Sequence, residues 1–423
     1  MGWVYNTFMR TLVPWLKRRL RQRARQEPLY AHAPAERFGV YGQPPQQVDV
    51  WLHAVSLGEA RAARILIEGL RAQAPHWRWL FTQGTATGRA ELAACVQAGD
   101  VQVWQPWDTP EAVQAFLSHF KPRVGLIMET EVWPNWVHHA QARGLPLVLV
   151  NARLSARSLH KAQRLWFWSR PAYQGIHLAL AQTQADATRL QQAGVQQVKV
   201  LGNLKFDARI DHRLWRMGKG LRQRLGKPVV MFASSREGEE AQWVQAWLNA
   251  RSAWPDVQWL IVPRHPQRFE EVAELLQAHG VPVLRRSSLP EDAQAWPSLP
   301  AGMVLLGDSL GEMAFYYGLS DLALLGGSFE PLGGQNLIEA CACACPVLVG
   351  PHTFNFMQAT ELAIEAGAAQ RVADLSQALV QAQRLLAQPD AMPVLKAAAM
   401  AFTQAHQGAT EATVQEILKI VQP

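Results

Sequence analysis

Short apolar runs rich in Val, Ile and Leu recur along this 423-residue chain, each followed by a longer stretch dense in Ala, Leu and Gln. Such alternation builds parallel sheets, because two parallel strands need a crossover long enough to hold a helix. The runs form two series. The first comprises 48–55, 77–82, 101–104, 124–128, 147–150, 178–181 and 198–201; the second comprises 229–233, 259–262, 282–284, 304–306, 322–325 and 347–349. Two doubly wound α/β domains are therefore expected. The interval 206–227 holds no convincing strand and is rich in Arg, Lys and Gly, which marks it as an interdomain linker. The predicted division is thus 1–26, 27–205, 206–227 and 228–423, with 287–300 as a polar surface loop. No repeat with a period of about 20 to 50 residues is visible, which argues against a solenoid.

Lys and Arg number 41 against 34 Asp and Glu, a net charge of +7. The excess lies in 1–26, where Arg10, Lys17, Arg18, Arg19, Arg21, Arg23 and Arg25 meet no acid, and the other residues balance. Charge gathered at one end suits an anionic membrane surface touched there. It does not suit nucleic acid, for which the body offers no basic stripe interleaved with aromatics. The same segment spaces Val4, Phe8, Leu12, Leu16 and Leu20 along one helical face, with Trp3 and Trp15 suited to the headgroup level. A spanning helix needs roughly 20 apolar residues, and Arg10 and Pro14 interrupt this run. The positive residues follow the apolar ones, the reverse of a secretory signal, so the body is expected on the cytoplasmic side. The reading is an amphipathic helix lying on the membrane; the alternative is a basic helix packed on the protein's own body. Four cysteines make no disulfide framework. Cys341, Cys343 and Cys345 lack the paired spacing of a zinc site and read as small buried side chains.

Ligands of open α/β sheets sit beyond the carboxyl ends of the strands, and polar residues gather there. In the first half the strand ends read His53-Ala-Val-Ser-Leu-Gly58-Glu59, Glu129-Thr-Glu131, Asn151-Ala-Arg153 and Gly202-Asn-Leu-Lys205-Phe-Asp207. Gly58 is expected in a tight turn. In the second half they read Ser234-Ser-Arg236-Glu, Arg264-His265, Gly307-Asp-Ser-Leu-Gly311-Glu312-Met313, and Gly326-Gly-Ser followed by Gly333-Gly-Gln335-Asn336-Leu337-Ile338-Glu339. A glycine-rich turn opening a helix exposes N–H groups that suit phosphate, and it equally suits a purely structural strand-to-helix turn. Acids such as Glu129 and Glu131 also suit the start of a helix for its dipole alone.

In order and spacing, the strings HAVSLGEA, METEVWPN, NARLS, GNLKFD, PRHP, GDSLGEM and GGQNLIE, the last followed by PVLVGPHTFNF, resemble the 3-deoxy-D-manno-octulosonic acid (Kdo) transferases. The N-terminal WVYNTF and ERFG segments fit as well. The resemblance implies GT-B architecture, with two Rossmann-like domains facing a cleft, and inverting transfer of Kdo from CMP-Kdo to the lipid A precursor, lipid IVA, at the inner membrane. It implies Glu59 as the acid–base residue, Glu129 and Lys205 as fixed charges at the reacting centre, and Arg153 at a substrate carboxylate or acceptor phosphate. It places CMP against Arg264, His265, Gly311 to Met313 and Asn336 to Glu339. No metal or other cofactor is expected, since the leaving group is a monophosphate ester and no Asp-x-Asp motif occurs. Three positions depart from the pattern: Gln335 and Arg236 stand where His is usual, and Ala340 where Pro is usual. The rival readings are another GT-B enzyme using a UDP-sugar, and a non-catalytic membrane-associated scaffold.

Overall fold

The computed structural model describes residues 2–421 apart from 252–255, 298 and 301. The chain divides into two compact units: Met1–Ala208 with His406–Pro423, and Arg209–Ala405. In the first unit the described strands are β1 (Val50–His53), β2 (Trp79–Gln83), β3 (Val101–Trp104), β4 (Val124–Met128), β5 (Leu147–Ala152), β6 (Leu178–Ala181) and β7 (Val198–Val200). They pair in parallel in the order β3-β2-β1-β4-β5-β6-β7. The second unit holds β8 (Val229–Ser235), β9 (Gln258–Pro263), β10 (Val283–Arg285), β11 (Val304–Leu306), β12 (Leu322–Leu325), β13 (Val347–Val349) and β14 (Ala369–Arg371). Their order is β10-β11-β9-β8-β12-β13-β14, again all parallel. Each expected strand is present within a few residues. The edge strand β14 escapes the sequence because Ala369, Gln370 and Arg371 carry no β-branched side chain.

Side chains cover both faces of the first sheet. Trp51, Phe116, Trp136 and Leu149 lie buried on one face, and Leu52, Leu66, Phe81 and Val150 on the other. The second sheet buries Phe232, Trp243, Trp247, Trp259 and Ile261. Burial on both faces explains why these strands read as continuous apolar runs rather than alternating ones.

Three predicted segments are corrected. The interval read as a linker folds as helix His212–Leu225 of the second unit, started by Asp211, which accepts from Arg213 N and Leu214 N at 2.9 and 3.0 Å. Of its two glycines, Gly218 serves close packing, since a Cβ there would lie 2.1 Å from the Phe315 carbonyl oxygen. One of its cations, Arg222, pairs with the buried Asp321. The chain's last helix, Ala409–Val421, belongs to the first unit: Ala409, Val414, Ile417 and Val421 are buried with Leu66, Ile67 and Leu70. Asp207 caps its start, accepting from Gly408 N at 2.7 Å and Thr410 N at 2.6 Å. The expected loop 287–300 is anchored, with Ala293, Trp296 and Leu299 buried and the Trp296 ring 5.5 Å from that of Phe315.

The N-terminal helix, Trp3–Gln26, docks on the first unit, so its apolar face is divided between protein and solvent. Tyr5 and Met9 are buried, and Leu20 and Ala24 pack against Tyr30, Ala86 and Trp104, whereas Trp3, Val4, Phe8 and Trp15 are exposed. The helix thus packs on the protein's own body along part of its apolar face, and the rest of that face is exposed. Among the described residues, no helix is long and apolar enough to cross a membrane. The Tyr5 hydroxyl donates to Asp108 at 2.6 Å, and the same carboxylate accepts from Asn135 N at 3.1 Å and Trp136 N at 3.0 Å, in the first turn of helix Pro134–Gln141. Arg10 pairs with Glu111 beside it. Burial pushes the Asp108 carboxyl up to about 6, against the pull of these three donors. Removing one donor from a buried acceptor costs about 1–3 kcal/mol. Tyr5→Phe is therefore expected to lower the unfolding free energy by that order and to speed proteolytic release of residues 1–26, as read by thermal melts and timed trypsin digestion. An unchanged cleavage rate would show that this contact does not hold the helix.

Candidate active site

In the first sheet the strand order reverses between β1 and β4, and the crevice at such a point is where open α/β sheets bind ligands. Glu59 follows β1 and Glu129 follows β4. Ser56 caps helix Leu57–Gln73 and accepts from Glu59 N at 3.3 Å. Glu59 reaches back, accepting from the Ser56 hydroxyl at 2.9 Å and from Val55 N at 2.8 Å. This reciprocal capping box satisfies N–H groups that the helix start leaves open and aims the carboxylate at the sheet end. Gly58, expected in a tight turn, instead lies within the first turn of the helix.

Glu129 is the first residue past β4 and takes φ 56°, a left-handed conformation that costs a non-glycine residue about 1–2 kcal/mol. Its N–H still bonds Val150 O at 2.9 Å, which holds the turn. The carboxylate pairs with Lys205 at 3.6 Å and Arg153 at 3.8 Å, cations brought in from beyond β7 and β5. Asn151, also left-handed at φ 52°, accepts from Leu204 N at 3.1 Å, and Asn203 accepts from Lys205 N at 3.0 Å. Those two amides fix the 3-10 turn Leu204–Asp207 that carries Lys205. Glu131 accepts from Trp133 Nε1 at 2.7 Å. The fold thus brings Glu59, Glu129, Glu131, Arg153 and Lys205 to one sheet end. His53, from the same string as Glu59, is a core residue: it is fully buried, bonded to Thr82 Oγ1 at 2.9 Å, and burial drives its pKa down to about 3.

Burial raises the Glu59 pKa to about 7, and the Glu129 and Glu131 carboxylates add to that rise while the Val55 and Ser56 bonds oppose it. Half of such a group is ionised at neutral pH, the condition that suits a residue taking a proton and returning it.

In the second sheet the reversal lies between β8 and β12. Arg236 follows β8, Arg264 and His265 follow β9, and Gly326 and Gly327 follow β12. The carboxylate of fully buried Glu239 ties these ends together, accepting from Arg236 N at 2.9 Å, Gly327 N at 2.7 Å and Phe329 N at 3.0 Å. Partial burial lowers the His265 pKa, and the nearby Arg236, Arg264 and Arg268 guanidiniums lower it further. Arg264 donates to Gln335 Oε1 at 3.1 Å, so the residue standing in place of the usual His orients an arginine of this cluster. Asn336 caps the short helix Leu337–Ala342, accepting from Ile338 N at 3.2 Å. Leu337 and Ile338 are buried in the core, which leaves only their backbone for any ligand, and Glu339 is half-buried. Gly311, Glu312 and Met313 follow β11, the strand beside β9, and Glu312 is held by Arg286 at 2.8 Å. The structure adds positioning residues that the sequence reading leaves without a role: Asn151, Asn203, Glu239 and Arg268. The first two lie in strings already singled out. Glu239 and Arg268 lie outside those strings, and the partners that tie them into the sheet end, Gly327, Phe329 and Glu240, are distant in sequence.

A family model described as 3-deoxy-D-manno-octulosonic-acid transferase matches residues 32–208. The 3-deoxy-D-manno-octulosonic acid transferase of Bordetella pertussis is 46% identical over 426 aligned residues, covering 98% of this chain and 98% of that one. The enzyme of the same name from Haemophilus influenzae is 34% identical, covering 85% of this chain and 84% of that one. Among solved structures, the UDP-GlcNAc 2-epimerase of Neisseria meningitidis is similar with a TM-score of 0.57 at 16% identity, covering 88% of this chain and 100% of that one. That likeness speaks for the two-domain GT-B-like fold alone.

The electrostatic arrangement around Glu59 has a direct test. Glu129→Gln removes a neighbouring like charge, so the Glu59 pKa should fall below about 7. Titration of side-chain carboxyl carbons by NMR reads it. An unmoved value would mean that the Glu129 charge does not contribute to this acidity.

Proposed function

The chain belongs to the 3-deoxy-D-manno-octulosonic acid (Kdo) transferases, and we propose that it moves Kdo from CMP-Kdo to a sugar hydroxyl of the lipid A precursor lipid IVA. The proposed setting is lipopolysaccharide synthesis at the cytoplasmic face of the inner membrane, and the proposed stereochemistry is inversion at the anomeric carbon. The observation that carries this reading is Glu59, a carboxylate with a pKa raised to about 7, beside a Glu129 carboxylate already paired with two cations.

A sugar hydroxyl is a weak nucleophile at neutral pH. In the proposed mechanism its oxygen attacks the anomeric carbon as the bond to the CMP phosphate breaks, and Glu59 takes the hydroxyl proton. The transition state is oxocarbenium-like beside the sugar's own carboxylate, where preorganised charges are worth most. Glu129 and Lys205 supply them, and Arg153 meets the Kdo carboxylate or an acceptor phosphate with a fork suited to oxyanions. On the donor side, Arg264 and His265 contact the CMP phosphate, with Arg236 and Arg268 adding positive charge. The backbone of Gly311 to Met313 and of Asn336 to Ile338 lines the nucleotide, and Glu339 accepts ribose hydroxyls. The departing phosphate leaves with negative charge beside the arginines. In this reading they replace a divalent ion.

Two expectations follow from these roles. Catalysis needs ionised Glu59, so transfer should be full above pH 7 and fall about tenfold per unit below it, following the pKa of about 7. Glu59→Gln should lower transfer by roughly 10² to 10⁴, measured by mass analysis of the product formed from CMP-Kdo and a tetra-acylated lipid A precursor. The same change should not lower the melting temperature at pH 8. A carboxyl whose folded pKa is raised from 4.5 to about 7 loses stability for the fold as pH climbs through that window, and the amide removes that loss. Activity within a few fold of wild type would refute the role. Separately, transfer should be unchanged by excess EDTA, and loss restored by a divalent ion would overturn the metal-free donor site.

A further inference from the structure

Between Glu131 and Asp186 the sequence contains no acidic residue but carries Arg143, Arg153, Arg157, Lys161, Arg164 and Arg170. The balanced charge of the whole body conceals this second basic stretch. Two helices occupy its middle, Ala156–Arg164 and Trp166–Gln174. Arg157, Lys161 and Arg164 recur at helical spacing and share one exposed face, while Leu159, Ala172 and Tyr173 anchor the pair in the core. At the join, Leu165 is 54% exposed, Trp166 37% and Phe167 93%. A phenylalanine held almost wholly in water at a helical corner has no packing role, and the Arg170 guanidinium lies 4.4 Å from the Trp166 ring centre.

The corner is continuous with the N-terminal helix. The Trp168 ring stands 5.8 Å from that of Tyr5, and the exposed Trp3, Val4 and Phe8 lie on the neighbouring turns. It is also close in sequence to the acidic constellation, since Arg153, paired with Glu129, precedes Ser155, the cap of the first of these helices. Apolar and aromatic tips flanked along the chain by cations, with no acid between Glu131 and Asp186, match a surface with an apolar interior beneath anionic headgroups.

We propose that the corner 165–167 is a second membrane-inserting element, distinct from the N-terminal helix. Leu165, Trp166 and Phe167 enter the headgroup–acyl boundary of an anionic bilayer, and Arg157, Lys161, Arg164 and Arg170 meet headgroup phosphates. The proposal rests on the reading that the acceptor is a lipid: it brings the end of the first sheet to the leaflet that holds it.

The test uses the full chain with Phe167→Cys carrying an environment-sensitive fluorophore, the native cysteines Cys95, Cys341, Cys343 and Cys345 being buried. A label at Val380, 65% exposed in the other unit, is the control. With phosphatidylglycerol-containing vesicles, the label at 167 should shift to the blue and be quenched by acyl-chain spin labels, and that at 380 should not. Arg157→Gln, Lys161→Gln and Arg164→Gln together should weaken vesicle binding on the order of 100-fold, from about 1 kcal/mol per cation. They should also raise KM for an acylated acceptor while leaving turnover of a water-soluble deacylated acceptor unchanged. A solvated label at 167 on a chain that co-sediments with vesicles overturns the proposal and leaves the N-terminal helix as the contact. A chain that turns over acceptor but does not co-sediment at all overturns the membrane reading with it. Shielding of the label without lipid would mean that the corner docks on protein, which also overturns the proposal.

Discussion

Three carboxylates gathered at one partly buried sheet end repel one another, and the first unit is arranged around that repulsion. Each is offset differently. Glu129 pairs with Lys205 and Arg153, Glu131 accepts the Trp133 indole N–H, and Glu59 holds only the Val55 N–H and the Ser56 hydroxyl of its own helix start. Burial raises the pKa of the Glu131 carboxyl, and burial together with the Glu129 and Glu131 charges raises that of Glu59 to about 7. A carboxyl poised there suits acid–base chemistry at neutral pH. The cations delivered by the loops beyond β5 and β7 pair with its neighbour Glu129.

The second unit applies the opposite sign to the same kind of sheet. Around His265 the side chains of Arg236, Arg264 and Arg268 accumulate positive charge. The carboxylate at that centre, Glu239, is buried and spent on backbone N–H groups rather than on neutralising the arginines. Arg268 also pairs with Glu240 and Glu271. The first sheet end thus gathers carboxylates and the second gathers cations. The substitutions Gln335 and Arg236 keep that cationic character, since Gln335 orients Arg264 and Arg236 is itself a cation.

At the surface, charge is arranged segment by segment. The N-terminal helix is tied down by Tyr5 on Asp108 and by Arg10 on Glu111, yet it still presents Trp3, Phe8 and Trp15 outward. A free amphipathic helix would turn its whole apolar face to lipid. This one shares that face with Tyr30 and Trp104 of its own unit, which sets its orientation there.

The alternation of apolar runs with helical stretches was enough to determine two parallel-sheet units and the position of thirteen strands, because parallel strands buried on both faces leave a periodic, local signature. The strings at the strand ends were legible for the same reason: β1, β4, β5 and β7 must expose their following residues at one edge. Other features depended on contacts between residues far apart. The helix His212–Leu225 looked like a linker because glycine and basic residues have no meaning until Phe315 and Asp321 lie against them. The last helix could have joined either unit, and Asp207, some two hundred positions earlier in the chain, decided it by capping Gly408 and Thr410. The acidity of Glu59 was beyond the sequence as well, since it arises from burial and from two carboxylates some seventy residues away that only the sheet order brings beside it.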